Sequence, residues 1–345
     1  MTTVELQDDN PEGDWTAPGV HRCAPGVHRI PLPLPNDGLR AVNVYAVADG
    51  TGFTLIDAGW ALQQSGDLLG RALAALGAGF GDVRQFLVTH AHRDHYTQAV
   101  TLRKEFGTPV ALGRGEQPAL RAITDPDRKP MGQRPRLVRA GADELLRALD
   151  SQPKEQADPS EWESPDRWID DGAVFTVGER GLEAVSTPGH TRGHVVFADE
   201  TAGLLFSGDH VLPRITPSIG FEAVPPPSPL ADFLNSLELL LTRPDAALLP
   251  AHGPVGMRVH ERVDELLAHH GKRLDATLAA LYEGRTTAAQ VAAALPWTRR
   301  ERTLADLDPF NAMLAVLETA AHLDVLVERR IATRSEQDGV AHYTT

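Results

Sequence analysis

A single cysteine, Cys23, in 345 residues excludes an intramolecular disulfide, a CxxC redox centre and a Cys-rich metal site. That scarcity suits a reducing compartment. Basic residues are short as well, 33 Lys+Arg against 47 Asp+Glu, and the formal net charge of -14 repels polyanions from the average surface. Nucleic acid is therefore a poor partner, and small molecules suit the chain better. No apolar run reads as long enough to span a membrane, and the acidic opening MTTVELQDDNPEGDW lacks the basic-then-apolar order of a signal peptide. The expected location is the cytoplasm, with no membrane association.

The chain alternates strand and helix signals. AVNVYAVA and FTLIDAG are short β-rich runs around a DGTG turn, ALQQSGDLLGRALAAL is helical up to Gly77, and FLVTH is a strand followed by the helical run TQAVTLRKEFG. From about Gly115 to Asp171 the pattern loosens into helical pieces and Pro- and charge-rich connections, which suits a lid or insertion over residues 115–171. Strand signals return in AVFTV, LEAVSTPGH, HVVFADE and LLFSGDH; SPLADFLNSLELLLTRP reads as a helix and AALLPAHG as a last strand. Residues 257–345 read as helix, short helix, helix and hairpin, the order of a winged-helix unit. From residue 258 onward this segment holds 11 Lys+Arg and 13 Asp+Glu, which argues against DNA binding. Its amphipathic helices suit packing or a homodimer.

The polar residues cluster where strand signals end. THAHRDHYTQ places His90, His92, Asp94 and His95 between a strand and a helix; His190 follows STPG, Asp209 follows LLFSG and His252 follows LLPA. Loops at the carboxyl ends of strands are where α/β proteins gather chemistry. Imidazole and carboxylate bind divalent transition metals, and five histidines with two aspartates suffice for two ions sharing one carboxylate. His90 and His92 can turn towards one ion, and Asp94 and His95 towards a second.

HAHRDH resembles the HxHxDH signature of the metallo-β-lactamase superfamily. PGH at His190, GD at Asp209 and AHG at His252 resemble its later metal motifs in the expected order, and LIDAG, with Asp57 and Gly59, resembles its early strand motif. The likeness covers about Ala41 to Val255. It implies an α/β fold, the αββα sandwich, over residues 1–256, and the mostly helical residues 257–345 resemble the winged-helix extension of one branch. It also implies a dinuclear site: His90, His92 and His190 on one metal, Asp94, His95 and His252 on the other, and Asp209 bridging. Two Zn²⁺ are the expected cofactors, although Mn²⁺ or Fe can occupy the same nitrogen and oxygen donors.

A water shared by two such cations loses a proton near neutrality and attacks an electrophilic carbonyl or phosphorus, so the expected reaction is hydrolysis of a small-molecule thioester, ester or lactone. Asp94 and Asp209 are the expected catalytic residues, Asp94 orienting the nucleophile or relaying its proton. Asp57 reads either as a hydrogen-bond support for the ligand loop or as a strand-end turn residue. Thr191 and His194 read as supports. His210 and Arg214 follow the bridging position, where they can support the site or, for Arg214, clamp an anionic substrate group. Trp162, Trp168 and Phe221 could wall the site or fill a local core.

Departures from the family's branches narrow the reading. Asp209 stands where the common zinc β-lactamases use Cys, His92 where the flavodiiron branch has Glu, and DHYTQ where glyoxalase II-like enzymes continue DHxGG. The extra motifs of the nuclease branch are not found. A phosphodiesterase or RNase, a mononuclear iron persulfide dioxygenase and a non-catalytic ligand sensor remain as alternatives.

Overall fold

The computed structural model describes residues 4–35, 38–125, 127, 132–152, 158–298 and 300–345. Eight strands cross a first sheet in chain order: β1 (Leu6–Asp8), β2 (Val20–Ala24), β3 (Val27–Pro33), β4 (Ala41–Asp49), β5 (Gly52–Ile56), β6 (Val83–Val88), β7 (Val110–Gly113) and β8 (Arg167–Ile169). Antiparallel pairings join β2 through β5, and parallel pairings carry the sheet from β5 to β8. The second sheet has the order β13-β12-β11-β10-β9, built from β9 (Val174–Val177), β10 (Arg180–Ser186), β11 (Val195–Asp199), β12 (Leu204–Gly208) and β13 (Ala247–Pro250). A hairpin of β14 (Thr333–Gln337) and β15 (Val340–Thr344) stands apart. The helices are α1 (Gln63–Ala75), α2 (Arg93–Phe106), α3 (Gln117–Thr124), α4 (Arg134–Arg139), α5 (Asp143–Asp150), α6 (Pro229–Leu241), α7 (Val259–Tyr282), α8 (Ala288–Ala294) and α9 (Pro309–Glu328).

Successive side chains on a strand point to opposite faces, so a strand buried on both sides feeds two cores. On β4, Val42, Val44 and Ala46 pack with Leu69 and Leu73 of α1 and Tyr96 and Val100 of α2. Tyr45 and Val47 face the other way and meet Phe197, Phe206 and Leu249 of the second sheet. The outer face of that sheet, with Val185, Val196, Leu205 and Leu248, packs on α6 and α7 in a core that continues through α8 and α9. The layers therefore run helix, sheet, sheet, helix, with a helical C-terminal region added to the last layer. This is the αββα sandwich that the sequence motifs imply.

Three features differ from the sequence reading. The N-terminal strands β1 to β3 are additional to it, although Gly26, at φ +69 in the Pro25–Gly26 turn between two Val-His-Arg runs, marks the hairpin. The segment expected as a lid is not one object. Its strand β8 pairs with β7 at the sheet edge, Trp162 is buried in the core outside the first sheet, and α4 and α5 pack with α9. Residues 126, 128–131 and 153–157 of that segment lie outside the described residues. Finally, α9 is long and apolar enough, by length and composition, to cross a membrane. Its apolar side chains are consumed elsewhere: Met313, Val316, Leu317, Leu323 and Leu326 are buried in the core shared with α6 and α7. The helix starts sharply, with Pro309 at its first position and the Asp308 carboxylate accepting from the amides of Phe310 and Asn311 at 3.1 and 3.0 Å.

Candidate metal centre

The seven histidines and aspartates singled out by sequence come from segments that follow the carboxyl ends of strands. His90 and His92 lie between β6 and α2, Asp94 and His95 in the first turn of α2, His190 follows β10, Asp209 follows β12 and His252 follows β13. Two glycines permit the close approach. Gly208, at φ +50, would place a Cβ 2.7 Å from Thr89 Cβ, and Gly189, at φ +142, would place one 2.4 Å from Phe233 Cβ of α6. No larger residue fits either turn without moving a ligand loop.

The side chains fall into two groups that meet at Asp209. In the first, His92 Nδ1 lies 3.0 Å from both His90 Nε2 and His190 Nε2, and His190 Nε2 lies 3.5 Å from Asp209 Oδ2. In the second, His252 Nε2 is 3.3 Å from both Asp94 Oδ2 and Asp209 Oδ1, and His95 Nε2 is 3.6 and 3.7 Å from the same two atoms. One carboxylate oxygen of Asp209 thus faces each group. Metal–nitrogen and metal–oxygen bonds of about 2.0–2.1 Å in a tetrahedron set donors roughly 3.3 Å apart, close to these spacings. His95 Nε2, His252 Nε2 and Asp209 Oδ1 are buried without a hydrogen-bond partner among the described residues. Buried polar atoms left in that condition are costly, so these residues fit a pair of divalent cations.

The far side of four of the five imidazoles is fixed, which sets their tautomers. His190 Nδ1 donates to the Ser218 carbonyl at 2.8 Å and His252 Nδ1 to the Ala41 carbonyl at 2.7 Å. His95 Nδ1 donates to Asp57 Oδ2 at 2.8 Å, and His90 Nδ1 pairs with Thr89 Oγ1 at 3.0 Å. Each of the four thereby turns Nε2 towards the cluster, an arrangement typical of metal-ligating histidines. Asp57 also accepts from the Thr89 amide at 2.8 Å, and it sits at φ +58, where its own amide reaches the Leu87 carbonyl. That left-handed conformation is uncommon for a non-glycine residue and persists here because three hydrogen bonds define it.

Electrostatics divide the groups in the same way. Burial, reinforced by neighbouring imidazoles, holds His90 well below the usual histidine range and lowers His92 to about 3 and His190 to about 4. These are lone-pair donors. Burial acts downward on His95 too, yet Asp94, Asp57 and Asp209 overcome it and raise the ring to about 10. His252 is raised by Asp209 and Asp94 against the same penalty, and Asp94 is held below the usual carboxylate range by His95 and His252 despite its burial. The second group therefore demands positive charge, which protons or a cation can supply.

The remaining candidates take other places. His210 is fully buried against the Phe233 ring, with centroids 5.0 Å apart, so it cannot touch a substrate. Arg214 is exposed on the loop after Asp209. Trp162 lies beside Tyr96 at 6.5 Å, away from the cluster, and Trp168 borders the same core. Phe221 does approach the cluster, edge-on to His92 at 6.2 Å, and Phe310 of α9 continues the apolar surface 5.6 Å beyond it. His194 accepts from the Asp209 amide at 3.1 Å and pairs with Thr187 Oγ1 at 2.9 Å, which holds the backbone of the shared carboxylate.

Sequence reasoning missed Glu116. This buried carboxyl accepts from the Thr191 hydroxyl and from the amides of Ala91 and Gly193, so it ties the loop of His90 and His92 to the loop of His190. Burial pushes it up to about 7. Its backbone approaches so closely that a Cβ on Gly193 would fall 2.1 Å from the Glu116 amide nitrogen. The GRGE turn carries no metal-like spacing, and only the three-dimensional approach reveals it. The Ser218 and Ala41 carbonyls were equally invisible, being backbone atoms.

Residues 37–252 match the family model described as the metallo-beta-lactamase superfamily. The chain belongs to this superfamily. It is similar to solved structures over nearly its whole length: a metallo-beta-lactamase family protein from Thermus thermophilus, 28% identical with a TM-score of 0.76, covers 94% of this chain and 99% of its own. A beta-lactamase domain protein from Burkholderia ambifaria, 27% identical with a TM-score of 0.79, covers 97% of both. Among curated proteins, the "Probable metallo-hydrolase YqjP" of Bacillus subtilis is 26% identical over 92% of this chain and 96% of its own length. The "Atrochrysone carboxyl ACP thioesterase" of Aspergillus fumigatus is 27% identical over 73% of this chain, which spans only 47% of that protein. The chain likewise spans 58% of the lactamase-like protein nscB of the same fungus, at 26% identity. Within this superfamily fold, the His and Asp groups supply donors for divalent metal.

Proposed function

We propose that this protein is a metal-dependent hydrolase that cleaves small-molecule acyl thioesters, using His90, His92 and His190 for one Zn²⁺, Asp94, His95 and His252 for a second, and Asp209 for both. The observation that carries the two-ion reading is the division of Asp209, whose Oδ2 faces the first group and whose Oδ1 faces the second. When bound, such cations lower the pKa of a shared water and polarise the carbonyl that it attacks. The protein's own part is to place and shield that chemistry. The Nδ1 bonds of His90, His95, His190 and His252 keep their Nε2 lone pairs inward. Asp94, at 14% side-chain exposure the more open of the two cluster carboxylates, is placed to orient the attacking water. Water oxygen bonds to the acyl carbon, the carbon–sulfur bond breaks, and the proton leaves with the thiol.

The thioester class is supported by the relatives named as ACP thioesterases and by the apolar shelf from Phe221 to Phe310, which lies against His92 and suits an apolar acyl group. The acidic chain argues against a polyanionic substrate. A single-iron dioxygenase would leave the complete donor group of Asp94, His95 and His252 without a role.

The test is thiol release by zinc-loaded protein from a panel of acyl-coenzyme A, acyl-cysteamine and acyl-carrier-protein thioesters, with lactones and oxygen esters alongside. Turnover of thioesters above the oxygen esters supports the reading. Inactivity on every thioester with both ions of the Asp209 centre bound would overturn it, and a single iron in that centre would redirect the assay to oxygen consumption.

A further inference from the structure

A second group of metal donors lies in the helical C-terminal region, outside the centre described above. His269 and His270 of α7 and Glu318 of α9 each offer one donor atom, and the three lie within 4.8 Å of one another. His269 is exposed, Glu318 is half-buried and His270 is fully buried.

The hydrogen bonds behind this group determine which ring nitrogen of His270 is free. His322 Nδ1 lies 2.8 Å from the Glu318 carbonyl, which can only accept, so His322 carries its proton on Nδ1. In the neutral ring His322 Nε2 is then a lone pair. His270 Nδ1, 3.2 Å away, must donate to it. In the neutral His270 ring the second nitrogen, Nε2, then holds a lone pair. That atom is buried and has no hydrogen-bond partner among the described residues. A neutral imidazole whose outer N–H is anchored and whose inner lone pair is unpaired is arranged as a metal ligand is.

We propose that His269, His270 and Glu318 form a separate binding site for one divalent transition-metal ion of the zinc type, tying α7 to α9. The donor chemistry selects the ion: two imidazoles and one carboxylate suit zinc and its neighbours, whereas magnesium and calcium prefer all-oxygen sites. Bringing donors that lie within 4.8 Å of one another to the roughly 3.3 Å spacing of a tetrahedral site requires relative movement of at most about 1.5 Å, which the exposed His269 ring and the Glu318 side chain can make while His270 stays fixed. Arg273 attracts the Glu318 carboxylate and also stacks on Trp297, with 4.3 Å to the ring centroid, so the ion competes with this arginine for Glu318. The site is tripodal, so water or an external ligand completes the coordination. It is also in contact with the hydrolytic centre through few intermediates: His270 meets the Phe233 ring at 5.5 Å, and Phe233 packs on the Gly189 turn that carries His190.

The experiment is titration of the chelator-stripped full chain with Zn²⁺ against a chromophoric competing chelator, comparing wild type with His269→Ala and Glu318→Gln. These two side chains are not fully buried, so the variants keep the fold where His270→Ala would open a cavity, and thermal melting of the stripped proteins verifies that. The expected result is one fewer zinc equivalent in each variant, with the thiol-releasing activity unchanged. The same loss of one equivalent is expected in an Asp209→Ala background, which separates this site from the hydrolytic one whatever the latter's stoichiometry. Equal zinc equivalents in wild type and both variants, with intact melting transitions, would overturn the proposal.

Discussion

Replacing Glu116 by Gln changes the pH dependence of stability by an amount that follows from its burial. In the folded chain the Glu116 carboxyl is pushed from 4.5 up to about 7, with burial outweighing the donations from Thr191, Ala91 and Gly193. A raised acid pKa means that the folded state holds this proton where the unfolded state has released it. Between pH 4.5 and 7 the folded protein binds more protons, so stability falls as pH rises through this window and levels off above it. A tenfold change in acid strength corresponds to about 1.4 kcal/mol, so Glu116 costs the fold on the order of 3 kcal/mol at pH 8 relative to pH 4. Gln keeps the shape and carries no such proton. Urea unfolding of wild type and E116Q from pH 4 to 8, both stripped of metal so that the ligand residues cancel in the difference, measures this directly. The variant should gain relative stability with rising pH, by up to about 3 kcal/mol, whatever constant offset the altered hydrogen bonds add. A wild-type-minus-variant difference that stays flat across the window would refute the burial argument and show that Glu116 is ionised throughout.

Asp209→Ala removes the oxygen atoms shared by both donor groups, and in a His269→Ala background, which lacks the separate C-terminal site, elemental analysis should show metal content falling from near two ions per chain to one or fewer. Asp57→Asn replaces the charged acceptor of His95 Nδ1, and competitive chelation should report a roughly 10–100-fold weaker affinity for one ion with the other unaffected. Phe310→Ala truncates the outer end of the apolar shelf, where Phe310 is 50% exposed, and should raise KM for long or aromatic acyl thioesters by roughly tenfold while sparing short ones.

The difference between what was legible in the sequence and what was not follows from where the information sits. His90, His92, Asp94 and His95 announce themselves because metal donors crowd a loop whose length leaves little else for them to do, and the strand-end positions of His190, Asp209 and His252 complete the pattern. The sandwich was legible through the likeness of these motifs to the superfamily, and the two faces of β4 show its two cores. Support for the site was less legible because half of it has no side-chain signature: His190 and His252 are oriented by the Ser218 and Ala41 carbonyls, which any residue could provide. Asp57 could be read as support or as a turn residue, and the structure shows both at once, since the left-handed turn is what aims its carboxylate at His95. Glu116 was invisible for a different reason. A lone glutamate in a glycine-flanked turn is ordinarily solvated, and only the approach of Gly193, too close for any side chain, converts it into a buried clamp between two ligand loops. The same reasoning explains α9, whose apolar length resembles a membrane span until its partners in α6 and α7 are known. Donor identity is thus written locally, residue by residue, whereas donor orientation depends on contacts between segments far apart in the chain, and a substitution at Glu116 or Gly193 can disable the centre without touching a ligand.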